Sequence, residues 1–438
     1  MRSSFSVASV GVNERSTRAS CGSFARSAAL SRAAALLRER ADLFARVICD
    51  EGGKPIRYAR GEVTRAASTL EASAAEASRI HGDSPALDSA PQGVGRVAIL
   101  RHHPLGVVAA ITPFNFPLNL ACHKVGPALA AGNSVVLKPS ERTPATGLLL
   151  GALLDECGLP EGAVNVIVGD DPALGSILVE DRRPAAISFT GSPVVGWALR
   201  ARAGTKRVTL ELGGNAAVVI DRSADLADAA SRVAEAAFAH AGQICISAQR
   251  VFVHRDVHAT FRELFFAKIA RDVKAGDPSD PLVMIGPMIS TEAADRVEAW
   301  VATARARGAS VTRAGPRAGA VVPAIVVEGA PLDCDVHRRE VFGPVVTLDA
   351  VASFAEGLAR ADDSEFGLQA SVFTADLTAA FEAERRLTVG AVIVNDAPTF
   401  RVDTMPYGGE RASGLGREGV PEAVRSFTRE RLMVIRTR

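Results

Sequence analysis

Phe189-Thr-Gly-Ser-Pro-Val-Val-Gly196 follows directly on the apolar run at 185–189 and opens into a stretch with helical spacing. A strand, a tight turn and a helix are expected in that order. Gly191 lets the backbone come close to a ligand, and Pro193 suits a first helical turn, where no N–H is required. The free N–H groups and positive dipole end of such a helix suit a pyrophosphate. A plain strand-to-helix turn would read the same way, so the surrounding sequence has to decide.

Upstream lie short apolar runs at 107–112, 134–138 and 164–168, and another follows at 208–211. Segments 120–131 and 143–157 between them have helical spacing. Strand, helix, strand repeated in this way predicts parallel βαβ units, with ligands at the carboxyl ends of the strands. A second α/β region is predicted from 214 to 411, with helices at 223–240, 256–274 and 291–306 and a strand at 391–395. Nearer the start, 24–50 reads as one amphipathic helix carrying Leu37, Ala41, Phe44 and Ile48, stopped by Gly52, Gly53 and Pro55. A second helix presents Val63, Ala67, Leu70 and Ala74 on one face. Residues 82–95 read as a loop, and 431–436 as a final strand.

The chain has 438 residues, 47% of them apolar, which predicts two or three domains. Lys and Arg number 50 against 49 Asp and Glu, so no charge excess points to nucleic acid or an anionic membrane. No apolar run reaches the roughly 18 residues that cross a bilayer. Six cysteines are scattered without a CxxC pair, which predicts a reducing, cytoplasmic setting rather than disulfides or zinc. Residues 1–20 are rich in Ser and Arg. Their composition is like a transit peptide's, although a disordered or misassigned start is the preferred reading.

Two strings are decoys. Gly414-Leu-Gly-Arg-Glu-Gly419 matches GxGxxG but follows a polar turn instead of a strand. His254 and His258 are four apart but lack the glutamate of HExxH. Three other places carry reactive groups. Glu211 ends the run at 208–211, Cys245 follows a helix, and Asn115 sits between two phenylalanines and two prolines at a strand's end. Alone, each has a plain alternative: a solvated carboxylate, a small buried hydrophobe and a turn asparagine.

Taken together, seven strings in order carry a resemblance. They are TPFNFP (112–117), VVLKPSE (135–141), FTGSPVVG (189–196), TLELGGN (209–215), GQICISAQR (242–250), EVFGPVV (340–346) and MPYGGERASGLGREG (405–419). From about residue 24 to the C-terminus the chain strongly resembles the aldehyde dehydrogenase superfamily. Within it, the chain is similar to the lactaldehyde and semialdehyde dehydrogenase-like members. The resemblance implies an α/β fold with a Rossmann-type parallel-sheet cofactor domain (1–85 and 105–213), an α/β catalytic domain (214–411) and a small β oligomerisation hairpin (86–104 and 424–438). A homodimer or homotetramer is the implied assembly. Family members usually carry about two further strands ahead of the helix at 24–50, so stability and assembly are in question here more than chemistry.

The resemblance also implies roles. Cys245 would be the nucleophile, since a thiolate adding to an aldehyde gives a tetrahedral thiohemiacetal that expels hydride readily. The Asn115 amide and the Cys245 backbone N–H would stabilise its oxyanion, at about 3–4 kcal/mol per donor. Glu211 would activate water to hydrolyse the thioester, and its presence argues against transfer to coenzyme A. A coenzyme A-acylating enzyme and a non-catalytic NAD-binding protein are the alternatives. Lys138 and Glu141 would hold the adenosine ribose, with the carboxylate favouring NAD over NADP. Gly191 and Ser192 would meet the pyrophosphate, and Glu340 and Phe342 the nicotinamide side. Ile111, Thr112, Gly169, Phe189, Thr190, Gly196 and Leu212 complete the implied cofactor contacts. Phe116, His123, Ile244, Ile246 and Phe400 would line the substrate tunnel. His123 and Arg401 are placed to meet a polar or anionic tail. Ile244 offers no cation, which speaks against a phosphate.

Overall fold

A computed structural model describes residues 21–171 and 173–437, and the expectation for residues 1–20 lies outside them. The described chain opens with helices α1 (Ser23–Glu39), α2 (Ala41–Gly52) and α3 (Ile56–Ala77), followed by strand β1 (Arg96–Pro104). The single helix expected at 24–50 is therefore two. The backbone leaves helical geometry at Arg40, with φ −100° and ψ 21°. Leu37, Phe44 and Ile48 remain buried on both sides of the break. Apolar spacing reports which face is covered, and here the covered face continues past the break.

Next come β2 (Val107–Ile111), α4 (Asn119–Ala130), β3 (Ser134–Lys138), α5 (Pro144–Asp155), β4 (Val164–Val166), α6 (Ala173–Glu180), β5 (Pro184–Thr190), α7 (Pro193–Arg202) and β6 (Arg207–Glu211). The strands form a parallel sheet in the order β6-β5-β2-β3-β4. Their unbroken apolar runs suit strands covered on both faces. The chain steps outward in one direction through β4, then crosses back so that β5 lies on the other side of β2. That reversal opens a crevice at the carboxyl ends of β2 and β5, the general ligand position in open α/β sheets.

The second sheet uses β7 (Ala216–Ile220), α8 (Leu226–Phe238), β8 (Ala248–His254), α9 (Arg255–Asp272), α10 (Thr291–Ala306), β9 (Ser310–Arg313), β10 (Ile325–Glu328), α11 (Asp335–Arg338), β11 (Val345–Val351), α12 (Phe354–Asp362), β12 (Phe366–Gly367), β13 (Gln369–Phe373), α13 (Leu377–Arg386) and β14 (Ala391–Val394). Its order is β14-β13-β7-β8-β11-β10-β9, antiparallel only between β10 and β9. His254 closes β8, and its Nδ1 accepts the Asp256 N–H at 3.3 Å, capping α9.

The tail returns to the first sheet through β15 (Glu410–Arg411), β16 (Gly414–Leu415), α14 (Val420–Ser426) and β17 (Thr428–Arg436). β16 runs antiparallel along β6, so the GxGxxG-like string is an edge strand and turn, not a phosphate loop. Val424 and Phe427 are buried in the core shared with α3 and α4. β17 pairs antiparallel with β1, from Arg96 opposite Arg436 to Pro104 opposite Thr428. On this ribbon Val97, Leu432, Met433, Val434 and Ile435 are 42–49% exposed. Among the described residues, no helix is long and apolar enough to cross a membrane.

Candidate active site

The crevice between β2 and β5 continues into a cavity of about 870 Å³. At one end it is lined by Lys138, Ser140, Glu141 and Gly169, and then by Phe189, Thr190, Gly191 and Ser192 where β5 turns into α7. Ile111, Thr112, Leu212, Glu340 and Phe342 carry the lining inward. Asn115, Phe116, Glu211, Ile244, Cys245 and Ile246 follow, with Arg65, Arg401 and Tyr407 beyond. Most residues implied by the sequence therefore share one cavity.

Three do not line it. His123 is buried within α4, where its Nε2 lies 2.8 Å from Asp403 Oδ1. All of α4 is enclosed, so position along the helix says nothing about which side faces the cavity. Burial, with the Arg401 charge beside it, lowers His123 to about 4, leaving the imidazole neutral at neutral pH. Phe400 is 46% exposed, and its neighbours Thr399 and Arg401 form the wall instead. Gly196 sits behind the lining. A Cβ there would fall 2.4 Å from Leu212 Cδ2, so it serves the packing of α7 on β6.

Asn115 owes its place to a support absent from the sequence reading. Lys54, between α2 and α3, donates to the Asn115 carbonyl at 2.9 Å and to Glu62 Oε2 at 2.6 Å. Its ammonium also lies 3.3 Å over the Phe116 ring. Glu62 Oε1 accepts the Leu118 and Asn119 N–H groups at 2.9 and 3.0 Å, satisfying donors that the start of α4 leaves free. Both ions are 1% exposed, a placement tolerated only because each has several partners. The Asn115 amide donates to the Gln243 carbonyl at 2.9 Å, and its Oδ1 has no partner.

The loop holding Cys245 is bent by three consecutive left-handed residues, His240 (φ 51°), Ala241 (φ 55°) and Gly242 (φ 67°). Left-handed backbone costs a non-glycine residue about 1 kcal/mol. Burial of His240 and Ala241 holds them there. The link from β6 to β7 passes close by. A Cβ on Gly214 would fall 2.2 Å from the Cys245 carbonyl, so only glycine allows that approach. The Gly214 N–H donates to Glu340 Oε1 at 3.0 Å.

The Cys245 thiol is half-buried, and burial pushes it up to about 11. Glu211, at the end of β6, is 3% exposed, and neither carboxylate oxygen has a partner. Burial and the Glu418 charge hold it well above the usual carboxylate range, against Arg401, Lys124 and Arg417. Glu418 accepts from Lys124 at 2.6 Å. Arg401 stacks 3.6 Å over the Tyr407 ring, and its Nε is unpartnered. Arg65 reaches Asp403 at 2.7 Å. Nothing in the sequence marked Lys54, Glu62 or Arg65, which look like ordinary helix-surface ions. Tyr407 and Glu418 lay in a quoted string but were not singled out.

The cavity also fits a nucleotide. The Thr112 and Thr190 hydroxyls are buried there without partners, beside the start of α7 and the Lys138 ammonium. The two hydroxyls offer hydrogen bonds the chain does not itself use, and the helix start and the ammonium add positive potential.

Comparison with known proteins agrees with this geometry. The sequence model of the aldehyde dehydrogenase family matches residues 16–433. A 3-sulfolactaldehyde dehydrogenase of Priestia aryabhattai is 47% identical over 406 residues, covering 93% of this chain and 85% of the relative. The crystal structure of aldehyde dehydrogenase 21 from Physcomitrella patens, in complex with the reaction product succinate, is 38% identical with a TM-score of 0.92. That match covers 97% of this chain and 88% of the other. A glyceraldehyde-3-phosphate dehydrogenase of Methanocaldococcus jannaschii, complexed with NADP, is 32% identical with a TM-score of 0.92, covering 97% and 92%. The chain belongs to the aldehyde dehydrogenase family, NAD(P)-dependent oxidoreductases that convert aldehydes to carboxylic acids.

Proposed function

We propose that this chain oxidises a short aldehyde with a singly charged anionic tail, a carboxylate or sulfonate, by way of a thioester on Cys245. The observation that carries the reading is one cavity holding a half-buried thiol, an unpartnered buried carboxylate at Glu211 and an unpartnered guanidinium nitrogen on Arg401. Cys245 attacks the carbonyl carbon, and the Asn115 amide and Cys245 N–H receive the developing oxyanion. When bound, NAD(P) supplies the hydride acceptor. Glu211 then takes a proton from the water that attacks the thioester, releasing the acid and restoring the thiol. Lys138, Thr112, Thr190 and the start of α7 hold the nucleotide. Glu141, 3.7 Å from Lys138, disfavours a 2′-phosphate and so favours NAD.

The tail assignment follows from charge. Arg401 Nη2 lies 3.5 Å from Glu418 Oε2, a carboxylate shared with Lys124 through its other oxygen, and Arg401 Nε has no partner. The Arg65 charge is matched by Asp403. The free Arg401 Nε suits a singly charged tail, and Ile244 adds no second cation for a phosphate. Two of the named relatives support the reading, with a sulfonated aldehyde in one and a dicarboxylate product in the other, while the third, less similar, is named for a phosphate aldehyde.

A screen of NADH or NADPH production over matched neutral, carboxylate, sulfonate and phosphate aldehydes tests this. The carboxylate or sulfonate aldehyde should give the highest kcat/KM, with NAD. Arg401→Gln should lower that value about 10- to 100-fold more than it lowers the value for the neutral aldehyde, which shares only the loss of Arg401's support for the Cys245 thiolate. Equal losses on both would remove Arg401 as the tail partner. A higher kcat/KM with NADP would overturn the cofactor preference.

The β1–β17 ribbon supports a homodimer or homotetramer. A two-stranded ribbon is marginal alone, and this one leaves a row of apolar side chains open along β17. We expect a sedimentation mass of two or four times the 45.7 kDa monomer. Charged substitution of Leu432 and Val434 should dissociate the assembly. A wild-type monomer would rule the ribbon out as an assembly element.

A further inference from the structure

The Tyr407 hydroxyl lies 3.4 Å from Cys245 Sγ. Tyr407 is 4% exposed, and its hydroxyl makes no other hydrogen bond among the described residues. Its backbone is fixed from both sides, donating to the Glu418 carbonyl at 2.9 Å and accepting from the Glu418 N–H at 2.6 Å. The ring packs with Ile244, Ile246 and Leu368 around the thiol, under the Arg401 guanidinium. A buried phenol usually finds a partner. This one is offered only a sulfur.

The direction of that contact depends on the sulfur's charge. A thiol can donate or accept, whereas a thiolate has no hydrogen and can only accept. The groups facing Cys245 are the carboxylates Glu211 and Glu340, the Arg401 charge and the Tyr407 hydroxyl. The carboxylates oppose ionisation, so the thiolate depends on Arg401 and on this donor. The Arg401 cation over the ring face draws electron density from the phenol and strengthens its O–H as a donor. Burial also holds Tyr407 well above its ordinary range, so it stays protonated at any working pH.

We propose that Tyr407 is a positioning residue for the reaction, its O–H holding the Cys245 thiolate in place and favouring its formation. Tyr407 gives up no proton, and only the direction of its hydrogen bond becomes fixed when the thiol ionises. The inference rests on Cys245 being the nucleophile.

The test is alkylation of Cys245 by iodoacetamide across a pH series without aldehyde, followed as the mass of the peptide holding Cys245. In Tyr407→Phe, the midpoint of the rate–pH profile should move up by about one pH unit. The rate at neutral pH should fall about tenfold, with the high-pH plateau unchanged. Profiles that coincide with the wild type, or a lowered plateau at an unchanged midpoint, would overturn the proposal. Should Tyr407→Phe fail to fold, 3,5-difluorotyrosine at 407 keeps the shape and is the stronger donor. Its midpoint should fall, and an unchanged or higher midpoint counts against the proposal. Because alkylation needs no turnover, its outcome is separable from an activity test of Cys245 as nucleophile.

Discussion

Cys245→Ala should lower aldehyde oxidation at least about a thousandfold while NAD binding changes less than about twofold, because the covalent step has no substitute in the cavity. Lys138, Glu141 and Gly191 line a different part of the cavity from Ile244, Cys245 and Ile246, so losing one sulfur leaves the nucleotide end intact. Steady-state NADH production and a calorimetric NAD titration measure the two halves. Alanine is tolerated sterically, and any fold loss would appear as weakened NAD binding. Residual activity above about 5% with normal cofactor affinity would remove Cys245 from the mechanism.

Glu211→Gln should uncouple the two half-reactions. Glutamine keeps the size but cannot take a proton from water, so the thioester should form and then persist. A burst of NADH approaching one equivalent per active subunit should precede a steady state slower by about a hundredfold, with an acyl mass on the peptide holding Cys245. The pH profile adds a second check. Burial and Glu418 hold the Glu211 carboxyl well above its ordinary range. Only its ionised form is a base, so wild-type deacylation should rise with pH through that elevated value. The rise should vanish in the variant. If Glu211 also assists ionisation of Cys245, the burst shrinks at neutral pH and grows as the pH rises towards the elevated thiol value of about 11. A variant that binds NAD but shows neither burst nor acyl adduct at any pH would exclude Glu211 as the deacylation base.

The chemistry was legible in the sequence where side-chain identity and chain direction together decide position. Glu211 and Asn115 stand at the carboxyl ends of parallel strands, and the turn after β5 was readable from Gly191 and Pro193. What was not legible depends on burial created by distant segments. Lys54 and Glu62 become an ion pair beneath Asn115 only because α3 packs against α4. The resemblance places His123 in the tunnel, but α4 is covered on every side and the imidazole turns to Asp403 instead. Arg65 reaches the cavity from α3, a helix whose pattern revealed only its apolar face.

The left-handed run ahead of Cys245 has a consequence for how this protein fails. Two non-glycine residues there keep an unfavourable backbone only because close packing denies them a better one. Packing loosened near Phe238 gives those residues somewhere to go at small energetic gain, well before the domain itself gives way. The thiol travels with them. In this enzyme the turnover rate is therefore a finer gauge of core damage than the melting temperature, and mild core variants should look intact by calorimetry yet defective at the bench.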